Sequence, residues 1–419
     1  MRSTHRGSRT RGHVSITAVL VALFATFALA LSPLATADAS TRTSATAAAK
    51  KRAVAAKKRA VAKKAQRRRA AARRRLAAKK KLAAAKKARP QPPGGTGAPA
   101  SAGASAGPRF GINAGGLVSF SDESALAVLQ SMKAGGLTEV RRDMGWGQIE
   151  PAQGTFVWTE TDRWMSLLAR AGLRWFPTLD YSAPWASVAK TWNSRPAEPS
   201  TFATFAREVV ARYGPGGRFW AEHPELPAVP VTHYEIWNEP NFELYWQEQA
   251  SAPEDYADLF VAARDAIKAG DAGAKVVTAG LLERGGEEFI RRMYRHRSDL
   301  DDKVDAFGFH PYNPSAEDML ATVADIRRVL ERVDPGVPME LTEAGFDTLR
   351  NPEAQRAIEL QELVRGVRDA KLNVSALHVF SASTIEHDPL KWDQWLGLWN
   401  DDGTPKPSAV AYLAAVAAR

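Results

Sequence analysis

Eight short apolar runs, each followed by an amphipathic stretch, constrain this chain more than anything else in it. They are 110–115, 139–144, 174–179, 232–237, 275–279, 306–310, 338–342 and 376–381, and they read as β-strands. Between them lie helical patterns at 124–134, 164–171, 201–213, 253–269, 316–333, 352–370 and 408–418. Eight strands alternating with helices over about 310 residues is the count and size of a (β/α)8 TIM barrel, an α/β fold. An open doubly wound sheet alternates too, but no glycine-rich phosphate turn follows the first strand.

In a barrel the C-terminal ends of the strands carry the chemistry. Two motifs fall there. Trp237-Asn238-Glu239-Pro240-Asn241 ends the fourth run, and Thr342-Glu343-Ala344-Gly345 ends the seventh. Each brings one glutamate to the same rim, and a pair of carboxylates is what cleavage of a glycosidic bond requires. Arg141 and Asp143 follow the second strand, Asp180 and Tyr181 the third, His310 and Tyr312 the sixth. Charged residues seldom end apolar strands for packing alone, so their recurrence at one face favours a site. Two other glutamates are set aside. Glu235 shares the parity of Glu239 but lies lower in its strand, and Glu340 has the parity opposite to Glu343, which points it at the helices.

These residues resemble the retaining glycoside hydrolases of clan A, nearest in flavour to families 39 and 5, over roughly 110–405. The two glutamate motifs carry the resemblance. Val140-Arg141-Arg142-Asp143 with Trp146, His310-Pro311-Tyr312, and a closing segment from Gly397-Leu398-Trp399 to Pro407 match in order. The resemblance makes Glu239 the acid/base and Glu343 the nucleophile. Arg141 and the Tyr312 hydroxyl would then keep Glu343 anionic, and burial beside that charge would raise the pKa of Glu239. Asn238 would bond the sugar hydroxyl next to the reacting carbon, and the carboxyls would stand about 5–5.5 Å apart, the spacing for retention. Clan A chemistry implies no metal and no organic cofactor. One departure is Phe380, where many members carry tryptophan at the end of the eighth strand.

Substrate contacts are expected from Arg141, Asn238, Asp180, His310 and Tyr312, and from the loop tryptophans Trp146, Trp185, Trp392 and Trp395, which could stack on sugar faces. Trp158, Trp164 and Trp175 read as core, and Trp192, Trp220 and Trp246 take no assignment. No His-Glu-x-x-His or other metal spacing is present.

Composition divides the chain. Residues 50–89 hold 20 Lys/Arg and no acid, whereas 90–419 hold 32 basic and 45 acidic residues, so the net +11 describes neither part. Arg2, Arg6, Arg9 and Arg11 precede an apolar run from 14 to 31, and Ala35-Thr36-Ala37 offers a cleavage site. Residues 1–37 therefore read as a signal peptide, with a membrane anchor as the alternative. Residues 38–107 read as a disordered or partly helical basic tether with a Gly/Pro/Ala linker, and 108–419 as the barrel. The absence of cysteine rules out disulfides.

The functional expectation is a secreted or cell-surface retaining glycosidase, a monomer acting on β-linked oligo- or polysaccharide. Residues 50–89 could hold it to anionic wall polymers or a membrane surface. Nucleic acid ranks last as a partner, since the basic stretch has no aromatics for stacking on bases. The alternatives are a carbohydrate-binding barrel without turnover and a polyanion-binding surface protein acting through its basic arm.

Overall fold

The computed structural model describes residues 107–384, 388 and 390–418. The export signal, its cleavage site and the basic tether lie outside the described residues.

Strands β1 (Arg109–Asn113), β2 (Glu139–Gly145), β3 (Arg174–Asp180), β4 (His233–Ile236) and β5 (Lys275–Thr278) run parallel around the barrel, followed by the two-residue β6 (Leu281–Leu282). The ring continues through β7 (Phe307–His310), β8 (Met339–Ala344) and β9 (Val374–Val379). Hydrogen-bonded order is β5-β4-β3-β2-β1-β9-β8-β7-β6. A parallel bridge between Val277 and Ala306 closes the circle, reinforced by Gly308 N–H donating to Thr278 Oγ1 at 2.9 Å. The eight sequence runs are thus the eight barrel strands, with β6 a stub on the way from the fifth to the sixth. The structure is a (β/α)8 barrel.

Among the described residues, eight helices of more than two turns cover it: α1 (Asp122–Ala134), α2 (Thr159–Ala171), α3 (Pro199–Tyr213), α4 (Ala252–Gly270), α5 (Glu283–His296), α6 (Ala316–Val333), α7 (Glu353–Val367) and α8 (Pro407–Ala417). Five of them start on a recognisable sequence signal. The Ser121 and Ser315 hydroxyls cap α1 and α6, and prolines occupy the first turns of α3, α4 and α8. Helix α5 has no counterpart among the sequence patterns. Its first turn holds Gly285 at φ +80°, and its outer face is crowded with Arg291, Arg292 and Arg295. Glycine and charge together hid the apolar stripe of Phe289, Ile290, Met293 and Tyr294.

Inside the barrel, Phe176, Val277 and Ala306 form an apolar layer, with the His378 ring stacked 4.9 Å from Phe176. Below it, Arg109 donates to Glu139 at 2.7 Å and to Glu340 at 2.5 Å, and His378 Nε2 lies 3.1 Å from Glu139. Glu340 therefore faces the barrel interior, contrary to the parity argument that turned it toward the helices. Register between β8 and β9 shifts at Met339/Glu340 and again between Leu341 and Ala344. The second shift breaks strict alternation, so Glu340 and Glu343 both reach the inside at different heights.

Candidate active site

Arg141, from β2, is the buried hub at the C-terminal mouth. Its Nε donates to Glu235 at 2.6 Å, Nη1 to Asn113 and Glu343 at 2.8 Å each, and Nη2 to Asn238 at 3.0 Å. Glu235 also accepts from the Thr178 hydroxyl at 2.7 Å and Gly280 N–H at 3.0 Å. It lies under the site, as its strand position suggests, and anchors the guanidinium. Asn113 donates in turn to the Thr342 carbonyl at 3.0 Å, which holds the backbone beside Glu343.

Glu239 is delivered by a bent strand end. Trp237 (φ +71°) and Glu239 (φ +43°) both occupy the left-handed region, which costs a non-glycine residue of order 1–3 kcal/mol. Neighbours hold them there. Trp237 N–H donates to Leu179 O and its indole to Tyr245 O, while Glu239 N–H donates to Gly280 O at 3.2 Å. Gly280 is itself obligatory, because a Cβ on it would fall 2.0 Å from His310 Nε2. His310 uses that space to place Nδ1 2.7 Å from Glu239 Oε1 and Nε2 3.0 Å from Thr342 Oγ1.

The Tyr312 hydroxyl donates to Glu343 Oε2 at 2.8 Å, and His310 Nδ1 lies 3.8 Å from the same oxygen. Glu239, His310 and Glu343 each offer an atom within 4.8 Å of the others. That spacing alone would suit a metal ion. Glu343, however, already accepts from Arg141 and Tyr312, and the adjacent guanidinium charge opposes a divalent cation.

Electrostatics separate the two glutamates. Burial first, and then the charge of Glu343, raise the pKa of Glu239 against the hydrogen bond from His310. Burial opposes a charge on His310, but Glu343 and Glu239 outweigh it and raise its pKa. Tyr312 is pushed far up by burial and by Glu343, so it stays a hydroxyl donor. Asp180 sits at the same mouth, fully buried.

The sequence-predicted tryptophans part company here. Trp146 is fully buried, packed against Trp185, Phe202 and Phe205, with its indole on Glu150. It is a core residue and not a sugar platform. Trp185 lies edge-on to Trp146 and donates to the Glu150 carbonyl, so it belongs to the same packing unit. Trp395 is partly buried, its indole spent on the Asp388 carbonyl. Trp392 alone of the four is exposed and reaches the site, edge-on to Tyr312 at 5.1 Å.

Sequence reasoning placed Tyr181 at the rim but gave no role to the wall it belongs to. Tyr181 stacks on Tyr245, with centroids 5.8 Å apart, and exposed Trp192 packs edge-on to Tyr181 at 4.9 Å. Burial and the charges of Glu239 and Glu343 raise the Tyr245 pKa, as does Asp393 beside Trp392. The loops after β4 and β9 both border the mouth, Tyr245 on the first and Trp392 on the second. Phe380, partly exposed after β9, donates its N–H to the Ala344 carbonyl at 2.8 Å, next to Glu343.

No protein-family model matches the chain, and no curated protein matches it. Solved structures do. A family 39 glycoside hydrolase from Bacteroides cellulosilyticus superposes with a TM-score of 0.57 at 18% identity, over 74% of this chain and 64% of that one. A monomeric β-xylosidase from Caulobacter crescentus gives 0.55 at 20%, covering 74% and 68%. The family 5 (GH5_18) protein from Streptomyces cattleya, solved with GlcNAc, gives 0.56 at 19%, covering 74% and 80%. The structural neighbours are clan A glycoside hydrolases, and the likeness shows the (β/α)8 fold. This chain spans less than two thirds of the length of the first of them.

Proposed function

We propose that the protein is a retaining O-glycosidase acting on a β-linked oligo- or polysaccharide. One observation carries the reading: carboxylate oxygens of Glu239 and Glu343, from different strands, lie within 4.8 Å of each other. Retaining enzymes hold the pair about 5–5.5 Å apart, whereas inverting ones need roughly 6.5–9.5 Å to admit a water.

In this mechanism Glu343 attacks the anomeric carbon while Glu239 gives its proton to the departing oxygen. The C–O bond to the leaving group breaks as the Glu343 ester forms. Glu239, now a carboxylate, takes a proton from water, whose oxygen displaces Glu343 and restores both groups. Arg141 and Tyr312 align one Glu343 oxygen each, and Asn238, held by Arg141, faces the sugar hydroxyl beside the reacting carbon. His310 positions Glu239 through Nδ1. Trp392 on one side and Tyr181, Tyr245 and Trp192 on the other would flank the sugars beyond the cleaved bond.

Export to the cell exterior and electrostatic retention by residues 50–89 on anionic wall polymers or lipid head groups belong to the same proposal, supported by the composition of the N-terminal part. The deciding experiment is Glu343→Ala with chromogenic β-glycosides and sodium azide. Turnover should vanish and return with azide as a glycosyl azide of inverted configuration. Full activity in that variant would refute the assignment.

A further inference from the structure

The double displacement leaves one group in the bowl unused. Asp180 closes β3, is wholly buried, and neither carboxyl oxygen meets a hydrogen-bond partner. The Ser182 hydroxyl, two residues on and also buried, is equally unpartnered. Strand alternation gives the direction. Thr178 bonds Glu235 inside the barrel, so Asp180 faces the same way one layer higher, toward the mouth. The β2–β3 register pairs Asp143 with Thr178 and Gly145 with Asp180, which makes Asp143 the diagonal neighbour of Asp180 on that face. Asp143 has surface at the open mouth of the cleft, yet it sits deep enough there for burial to raise its pKa above the ordinary carboxylate value.

Among the described residues nothing in the barrel answers this pair. Arg141 is the adjacent cation, but its hydrogen bonds go to Glu235, Asn113, Glu343 and Asn238. Burial and then Asp143 hold the Asp180 carboxyl far above the usual carboxylate range. A buried carboxyl without a partner costs folding free energy. Such a group is costly to keep unless something supplied later completes it, and what it lacks is hydrogen-bond partners for both oxygens.

We propose that Asp180, with Asp143 beside it, is the glycone-selecting clamp of this site, taking a sugar that offers neighbouring hydroxyl or ammonium donors and carries no carboxylate, sulfate or phosphate. The inference rests on the glycosidase reading and names its substrate class. An anionic sugar would meet Asp143, Glu235 and Glu343 beside an Asp180 that burial keeps uncharged, with the one guanidinium already committed, so no free cation receives it and like-charge repulsion excludes it.

The test uses the full chain, 4-nitrophenyl β-glycosides of xylose, glucose, galactose, mannose, glucosamine and glucuronic acid, and the variants Asp180→Asn and Asp143→Asn. Wild type should hydrolyse a neutral or amino glycoside with kcat/KM at least 100-fold above the glucuronide. Asp180→Asn should raise KM on that substrate at least tenfold, change kcat less, and narrow the discrimination. Asp143→Asn, at an exposed position, should narrow it without loss of folding. Thermal unfolding supplies a readout independent of the sugar: Asp180→Asn should raise Tm in the free protein. A lowered Tm in Asp180→Asn would make Asp180 structural and overturn the proposal. So would preference for the glucuronide, or an unchanged KM. If no glycoside turns over in wild type, the glycosidase reading fails, while the Tm result still decides whether Asp180 awaits a ligand.

Discussion

Arg141 Nη1 donates to Glu343 Oε1 at 2.8 Å while the same guanidinium, through Nε, donates to Glu235 Oε2 at 2.6 Å. A single cation thus bridges the glutamate at the mouth and a glutamate buried beneath it. Arg141→Met should unbalance both. Removing one partner of a buried pair costs about 3–5 kcal/mol, because the remaining charge has neither water nor counterion. Chemical denaturation should show a loss of that size, together with loss of turnover. Arg141→Lys keeps a charge but cannot hold Glu235, Glu343 and Asn238 at once, so it should fold and still lose activity by about 10²-fold or more.

Gly280 and His310 give a second prediction. With a Cβ 2.0 Å from the imidazole, Gly280→Ala must displace His310 or the β5–β6 connection. Glu239 would lose the 2.7 Å contact that sets its direction. The expected outcome is a kcat lowered by about 10²-fold, the scale of a positional error near 1 Å at a reacting group. Steady-state kinetics on an activated aryl glycoside, with circular dichroism as a fold control, would check it. Wild-type kcat would show that His310 does not position the acid.

The raised pKa of Glu239 has a kinetic signature. Burial and Glu343 favour its protonated form, and protonation is what leaving-group departure needs. Activity should therefore fall as pH rises through the Glu239 pKa, giving the upper limb of a bell. Glu239→Gln should remove that limb and lower kcat/KM by about 10²–10⁴-fold on substrates with poor leaving groups, with much less effect on activated aryl glycosides. Equal losses on both classes would count against proton donation.

Much of this was legible because barrel strands are apolar runs with a polar final residue, a pattern that survives without neighbours. The eight strands, both glutamates, Arg141, Asn238, His310 and Tyr312 were readable on that ground. What failed depended on geometry absent from the one-dimensional pattern. The parity of Glu340 was inverted by the register shifts in β8, which leave no composition mark. Trp146 looked like a loop residue, yet the turn Trp146–Ile149 folds it inward onto Phe202 and Phe205 from a helix more than fifty residues away. Gly280 carried a readable signal, a glycine directly after an apolar strand, and its meaning appeared only with His310 beside it. Asn113 and Tyr245 were missed, and Tyr181 and Trp192 were named without a role, because their roles arise from partners on other strands and loops.

His233 supplies a stability prediction at the opposite end of the barrel. Burial first, and then the Arg109 charge, depress its pKa from 6.5 to about 4. The sign follows from linkage: between these values the unfolded chain binds a proton that the folded protein refuses, so stability falls as pH drops. The contribution is complete above pH 6.5, declines progressively below it, and is lost as pH falls through about 4. Its size is bounded by about 3 kcal/mol, since a tenfold change in proton affinity corresponds to about 1.4 kcal/mol and His233 retains some contact with solvent. His233→Gln removes the titration while keeping a polar group near Thr232, whose hydroxyl lies 3.1 Å from the imidazole. Urea unfolding of wild type and variant at pH 7 and at about pH 4.5 should show a smaller acid-induced loss in the variant. Identical losses would place the acid sensitivity elsewhere than His233; Glu139, whose pairing with His378 and Arg109 overcomes burial and depresses its pKa, adds its own loss only as pH falls below its ordinary value of 4.5.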